Sequence, residues 1–530
     1  MRSGGIDNAR HSRCARRQSE KVETDLKHAS KFLVPCIGML LLAACGRGDQ
    51  STGEPRSEPP PARETPYAIG SGTFFIHDPS RAYDSVAGVD LGLRTLITEI
   101  WYPVSHDVVD SGSWRRATYG DYVFGDRDMH RLMMTKTTFF HLTPETVREG
   151  VTGEQIDAAI EALFVTERSS YVDAPLAESD EGWPVIVMTH GDAGSRYNME
   201  TACEHLAAHG YVVIAPEHTG NSPYSLTGRD PALGPDGDPE FRERMSGVLP
   251  LLSAHGAYGS EDNYGQSYTP LADGRDSLQF LQYLDRSLLQ RLNDLRATLR
   301  ELDRMNDEGF AGAGAGALDL ERIGLMGRSF GGATTLAGLA MEPRFTAGLA
   351  VVPPGWADPR AALPAESLAP AGEESVLLAA GGPFPLTDIS RPTVLLSGAE
   401  DALIIGLAAR SASAGGGAAP TPGNPHPLMR RAFEETDAPA IWALLADSNH
   451  GTLGVWAGYW WPDLKPNTQE RYFEPETEFE LIAPEIAHRM QKELALAFFD
   501  LTIREDESAR ARLLENRYES EGLTLESRNF

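Results

Sequence analysis

The chain has 530 residues, 41% of them hydrophobic and 23% charged, with 47 Lys and Arg against 76 Asp and Glu for a net charge of −29. That length and composition exclude a wholly disordered chain and allow a large buried core. The acidic excess disfavours nucleic acid and anionic lipid as partners.

The first readable segment is an uncharged run over residues 32–44, preceded by Lys27 and Lys31. It is too short to span a bilayer, which takes about 20 apolar residues, and suits the hydrophobic region of an export signal. The run ends Leu42-Ala43-Ala44-Cys45, which resembles the bacterial lipobox, whose cysteine is lipidated and becomes the new N-terminus. The resemblance implies a lipoprotein signal peptide over residues 1–45, lipidation of Cys45, and an exported protein held to a membrane by its N-terminal lipid anchor. Gly46 in place of aspartate favours the outer membrane or periplasm over the inner membrane. An ordinary signal peptide or a short buried helix is the alternative reading of the same run. Residues 46–66 hold five prolines and almost no apolar side chain, so residues 46–69 read as a flexible linker.

Cleavage before Cys45 discards Cys14 and Cys36 and acylates Cys45, leaving Cys203 alone and no internal disulfide in the mature chain. Residues 1–45 hold eight of the basic and four of the acidic side chains, so the remainder is more acidic still, at −33. Membrane contact is therefore expected through acyl chains and not through a basic patch.

From residue 70 to 530 the pattern predicts a fold of the α/β class. Residues 72–77 and 95–104 alternate apolar and polar side chains as an antiparallel opening pair. Continuous apolar runs at 184–190, 211–216, 323–327, 346–352, 393–398 and 440–445 are the pattern of strands buried on both faces of a mostly parallel, doubly wound sheet. Helical periodicity is strongest over 274–305, where leucines recur at three- and four-residue spacing, and it ends at Gly309. Such a helix packs on a sheet, and strands alternating with helices give an α/β fold with helices on both faces.

Three segments sit outside that rhythm and are expected to be inserted cap or loop segments. Residues 120–180 contain a helical stretch at 153–164 and could cover a pocket. Residues 219–270 and 411–428 are rich in polar residues, Gly and Pro and are expected to be surface excursions, the second mobile. Asp236-Gly237-Asp238 hints at a calcium loop but lacks the rest of its ligands, so no metal site is expected.

The residues that carry chemistry begin with Gly327-Arg328-Ser329-Phe330-Gly331, set between a strand and a helix opening rich in small residues. A nucleophile elbow needs that context, because a strained turn lifts the serine Oγ above the sheet and the flanking glycines let backbones approach. The predicted nucleophile is Ser329. An acyl-transfer serine needs two donors for the oxyanion, expected from the backbone N–H of Phe330 and, after the strand running into His190-Gly191, that of Asp192. A carboxylate buried beside an oxyanion is unfavourable, so the Asp192 side chain is expected to face solvent, with His190 structural. The base is expected late in the chain, at His450, just past the strand at 440–445. His205, His209, His218, His426 and His488 read as surface or packing residues. Asp401, after the strand at 393–398, is the favoured acid, with Glu400 beside it and Asp358 as alternatives.

Together these motifs resemble the platelet-activating-factor acetylhydrolase and predicted dienelactone hydrolase group of α/β-hydrolases. The matching stretches are Glu99 to Pro103, Thr189-His190-Gly191, Glu204 to His218, and Gly327 to Thr334. Two departures stand out. Arg328 occupies a position where the group commonly has His or Tyr, and the strand ending Val352-Pro353-Pro354 lacks the carboxylate that the acetylhydrolases carry there. The resemblance implies one catalytic domain over residues 70–530 and a serine-dependent ester hydrolase acting on short-chain or lipid esters, with no cofactor or metal. Lactone, polyester or amide cleavage on the same residues, or a non-catalytic binding lipoprotein with this fold, are the alternatives.

Overall fold

A computed structural model describes residues 64–86, 93–123, 127–136, 142, 146–222, 224 and 277–530. The signal sequence with Cys45, the linker as far as residue 63, Asp236-Gly237-Asp238 and most of the 219–270 segment lie outside the described residues. By contact density the chain divides at residue 62, and everything described belongs to the unit from Arg63 to Phe530.

The opening pair is β1 (Ala68–Asp78) and β2 (Arg94–Val104), antiparallel with Ala68 opposite Val104 and Asp78 opposite Arg94. β1 begins two residues inside the stretch read as linker. A short helix α1 (His106–Asp110) and strand β3 (Arg116–Thr118) lead into α2 (Arg127–Lys136), α3 (Gly153–Val165) and β4 (Glu167–Val172). α3 starts where Thr152 and Gln155 exchange side-chain and backbone hydrogen bonds in a capping box. The central strands then alternate with helices: β5 (Trp183–Thr189), α4 (Glu200–Ala208), β6 (Val212–Pro216), α5 (Ser277–Glu308), β7 (Leu318–Arg328), α6 (Phe330–Met341), β8 (Phe345–Val351) and β9 (Thr393–Gly398). After β9 come α7 (Ala402–Ser413), α8 (Pro427–Glu435), β10 (Ala440–Leu445), the hairpin β11 (Thr468–Glu470) and β12 (Glu478–Glu480), α9 (Pro484–Thr502), α10 (Ala509–Leu514) and β13 (Leu523–Arg528).

Among the described residues one eleven-stranded sheet runs β13-β10-β9-β8-β7-β5-β6-β2-β1-β4-β3. The six strands from β10 to β6 are mutually parallel, and β2 and β13 flank them antiparallel. Alternate residues of these strands face opposite helical layers, which is why they read as unbroken apolar runs. In β5, Ile186 and Met188 join Leu206 of α4 and Phe498 of α9, whereas Val185 and Val187 join Leu295 and Leu299 of α5. The chain proceeds from β5 to β6 on one side and then returns to place β7 on the other. β5 and β7 therefore form a switch point, with Thr189 opposite Gly327 at their C-terminal ends.

Both segments read as surface excursions have buried ends. Between α7, which extends to Ser413, and α8, which starts at Pro427, residues 414–424 run largely exposed as a surface loop, whereas His426 at its end is buried, its Nε2–H donating to the Gly398 carbonyl at 2.7 Å. The described start of the 219–270 segment is also interior, with Thr219, Asn221, Ser222 and Tyr224 all buried. Small and polar residues can be interior in this way when backbone and side chains satisfy their hydrogen bonds. Strands β3, β4 and β13 were not predicted. Their sequences are polar at alternate positions, as in Glu526 and Arg528 of β13, which suits sheet edges and hides them from an apolar-run search.

The interior is unusually ionic. Arg94 of β2 is fully buried and grips Asp294 of α5 in bidentate fashion, Nε to Oδ1 at 2.6 Å and Nη2 to Oδ2 at 2.7 Å. Arg81 also reaches Asp294 Oδ1 at 2.8 Å, so removing Arg94 replaces the bidentate grip on the buried carboxylate with one partly exposed cation. Arg94→Ala is expected to destabilise the fold by about 3–5 kcal/mol, read as a lower urea midpoint with the slope of the transition unchanged.

Candidate active site

Ser329 lies between the end of β7 and the start of α6 with φ 58° and ψ −122°, a backbone conformation that non-glycine residues rarely hold. The surroundings impose it. Its N–H donates to the Val351 carbonyl of β8 at 2.8 Å, and a Cβ on Gly331 would run into the Thr189 and His190 carbonyls. A Cβ on Gly327 would sit 2.5 Å from Thr189 Cγ2, so both flanking glycines are required for β5 and the elbow to pack together. The strain is of the kind found at nucleophile elbows.

His450 lies on the loop after β10. Its Nε2 is 2.9 Å from Ser329 Oγ and its Nδ1 is 2.6 Å from Asp401 Oδ2. A carboxylate only accepts, so Nδ1 carries the proton and Nε2 accepts from the serine hydroxyl. Asp401 is completely buried and does two jobs: Oδ2 takes the imidazole, while Oδ1 caps α7 by accepting the Ile404 N–H at 3.1 Å. Asn449 shapes the loop from the other side, its Oδ1 accepting the N–H groups of Gly451 and Thr452. Gly398 allows the Asp401 turn to approach, since a Cβ there would meet the Ser448 carbonyl at 2.6 Å.

The alternative acids are occupied elsewhere. Glu400 accepts from Arg471 at 2.8 Å and from the Tyr472 N–H at 2.9 Å, and Asp358 pairs with Arg360 at 2.6 Å. β8 runs out into Val352, a buried residue just past its end with φ 43°, and no carboxylate from that turn reaches the imidazole.

The loop after β5 abuts the elbow: a Cβ on Gly191 would stand 3.2 Å from both the Arg328 carbonyl and Ser329 Cβ. Phe330 opens α6, so its N–H lies in a first turn with no intrahelical carbonyl to meet. The Asp192 side chain is not simply turned to solvent. It is half-buried, and Asn221 Nδ2 donates to its Oδ1 at 2.7 Å. His190 is structural, as expected: Nε2 accepts the His218 N–H at 2.9 Å.

Charge around the imidazole is set by burial and two neighbours. Burial pushes the His450 imidazole down, Asp401 opposes that, and the Arg328 guanidinium adds to it, so the ring titrates below its ordinary 6.5. Asp401 is pushed up by burial, but the His450 ring, the His426 ring and the Ile404 N–H outweigh that and hold it below the usual carboxylate range. Arg328 is buried, reaches the His450 carbonyl through Nη2, and is brought by burial down to about 10. A cavity of about 740 Å³ opens beside the imidazole, with Leu403, Thr452, Pro462, Lys465 and Ile482 in its walls. The 120–180 segment borders the same region, since Arg148 donates to the Pro462 and Lys465 carbonyls.

Two comparisons with known proteins bear on this arrangement. The family model of platelet-activating factor acetylhydrolase, isoform II, matches residues 151–232. That stretch holds β5, the His190-Gly191 loop, α4 and β6, and stops before the elbow. The solved structure of a ferulic acid esterase from Streptomyces cinnamoneus superposes with a TM-score of 0.50 at 18% identity, over 88% of this chain and 98% of that one. The chain has the α/β-hydrolase fold. The mostly parallel sheet, the helices on both faces and the turn from β7 into α6 are the features the sequence had predicted.

Within this α/β-hydrolase fold the sequence reading missed three polar residues around the site, Arg291, Asn221 and His426, and the contact made by Arg328. A signal existed for one of them. Arg291 interrupts the apolar face of α5 between Leu288 and Leu295, where a charged residue can be tolerated only if it is fully partnered. The others depend on contacts between segments far apart in sequence. Because Arg328 bears on the ring as a cation, Arg328→Met is expected to raise the pKa of His450, followed by NMR titration of its imidazole.

Proposed function

We propose that this α/β-hydrolase is a serine-dependent carboxylic ester hydrolase, with Ser329 as nucleophile, His450 as general base and Asp401 as the acid that orients it. The observation that carries the reading is the continuous chain from Ser329 Oγ to His450 Nε2 at 2.9 Å and from His450 Nδ1 to Asp401 Oδ2 at 2.6 Å. As Oγ attacks the ester carbonyl, its proton passes to Nε2 and the carbonyl π pair moves onto oxygen, held by the N–H groups of Phe330 and Asp192. Collapse breaks the bond to the alcohol oxygen, which takes the proton from His450. Water then repeats the sequence on the acyl-enzyme, releasing the acid and restoring Ser329. A neutral imidazole is needed to accept the proton, and its lowered pKa keeps it neutral into mildly acidic solution.

Short-chain or lipid esters are the proposed substrate class, supported by the acetylhydrolase family match and by the cavity beside His450. Lipidation at Cys45 would hold the enzyme to a membrane outside the cytoplasm, in keeping with Leu42-Ala43-Ala44-Cys45.

Hydrolysis of p-nitrophenyl esters of graded acyl length tests the chemistry. Ser329→Ala is expected to abolish turnover and labelling by a fluorophosphonate probe, and full turnover in that variant would sink the assignment. Asp401→Asn is expected to lower kcat by about 10⁴-fold, whereas Asp358→Asn and Glu400→Gln should retain most activity. For the anchor, Cys45→Ser should move the protein from the detergent-extracted membrane fraction to the soluble fraction with unchanged specific activity.

A further inference from the structure

α5 presents Arg291 and Asp294, one turn apart, to the loops that follow β5 and β6, and both side chains are completely buried. Arg291 donates through Nη1 to the His190 carbonyl at 2.6 Å and through Nη2 to the Gly191 carbonyl at 3.0 Å. Its Nε donates to Asn221 Oδ1 at 2.9 Å, and Asn221 Nδ2 in turn holds the Asp192 carboxylate at 2.7 Å. The same guanidinium lies over the Phe330 ring, 4.8 Å from its centre. One side chain thus touches both segments that supply the proposed oxyanion donors.

The geometry of a peptide unit makes these contacts consequential. In a trans peptide the carbonyl of one residue and the N–H of the next point in opposite directions. Fixing the Gly191 carbonyl toward α5 therefore fixes the Asp192 N–H away from α5. Three donors converge on that one carbonyl oxygen: Arg291 Nη2, the Gly194 N–H at 3.1 Å and His190 Nδ1 at 2.7 Å. Asn221 holds the Asp192 side chain, so the residue cannot rotate about the same bond without losing a second contact.

Asp294 completes the arrangement. It accepts from His218 Nδ1 at 2.9 Å, which leaves His218 Nε2 to accept the Thr189 hydroxyl at 2.7 Å. Both histidines stay neutral: burial, and next the charge of Arg291, hold the His190 pKa well below its ordinary value and bring His218 down to about 3. A neutral His190 keeps the lone pair that accepts the His218 N–H.

We infer that Arg291 is a positioning residue of the oxyanion hole, aiming the Asp192 N–H at the developing alkoxide by gripping the His190 and Gly191 carbonyls. The inference rests on Ser329 being an acylated nucleophile. Preorganised donors act on the transition state and not on bound substrate, so their loss should appear in kcat and in binding of an oxyanion mimic.

The test uses the whole protein with a p-nitrophenyl ester and an alkyl trifluoromethyl ketone, which adds to Ser329 to form a hemiketal oxyanion. Arg291→Met is expected to lower kcat by about 10–1000-fold, with KM within about threefold and the acid limb of the pH profile unmoved, and to weaken the ketone in proportion to kcat/KM. Asn221→Ala, a milder cut of the same linkage, is expected to reduce kcat and ketone affinity together by a smaller factor. It carries the test if Arg291→Met does not fold. Wild-type kcat in either folded variant, or a loss confined to KM, overturns the inference. If instead the wild-type enzyme is not labelled at Ser329 by a fluorophosphonate, the reading of the site itself fails and the role of Arg291 falls with it.

Discussion

The parallel pairing of β5 with β7, which sets Thr189 opposite Gly327, is the constraint from which the rest of the site follows. Two strands from distant parts of the chain end side by side, so the loop after one supplies a candidate oxyanion donor and the turn after the other supplies Ser329. The approach is close enough that side chains are excluded at Gly327 and Gly331, where a Cβ would meet the Thr189 side chain and the Gly331 carbonyl at the first, and the Thr189 and His190 carbonyls at the second. The left-handed backbone of Ser329 is the local consequence. Such strain persists only where surrounding contacts over-determine it, and here the Ser329 N–H to Val351 bond and the first turn of α6 do so.

Around that junction the protein uses buried charge where many folds would use apolar packing. Arg94, Asp294, Arg291 and His218 occupy one side of the sheet, and Glu99, Arg168, Arg196 and Glu217 the other. Ion pairs of this kind contribute little net stability relative to apolar packing, because desolvation offsets their attraction. What they supply is direction. A guanidinium satisfied by two carbonyls and an amide holds loops in one arrangement, whereas aliphatic contacts tolerate several.

The position of the acid shows how the same geometry can be reached from different strands. Directly after β8 comes the buried Val352, whose N–H donates to the Leu396 carbonyl of β9, so that turn is spent on joining two strands. The carboxylate instead comes from the end of β9, where Asp401 caps α7 and meets His450 with its two oxygens. The imidazole needs a buried acceptor within hydrogen-bond reach, and the strand that delivers it is secondary.

Local signals made much of this legible in the sequence. Apolar runs gave the six parallel strands to within a few residues, because burial on both faces leaves no polar alternation. Gly327-Arg328-Ser329-Phe330-Gly331 gave the elbow, since only glycine fits where backbones touch, and the order of Ser329, Asp401 and His450 along the chain followed the order of the strands. The tertiary structure decided what no local pattern encodes: that Asp401 and not Glu400 or Asp358 faces the imidazole, that His426 is interior, and that Arg291 reaches two carbonyls a hundred residues away. Those choices depend on which of several identical functional groups is left without another partner after folding. That is a property of the packed interior and of its hydrogen-bond accounting, whereas strand pattern and glycine placement are properties of the chain itself.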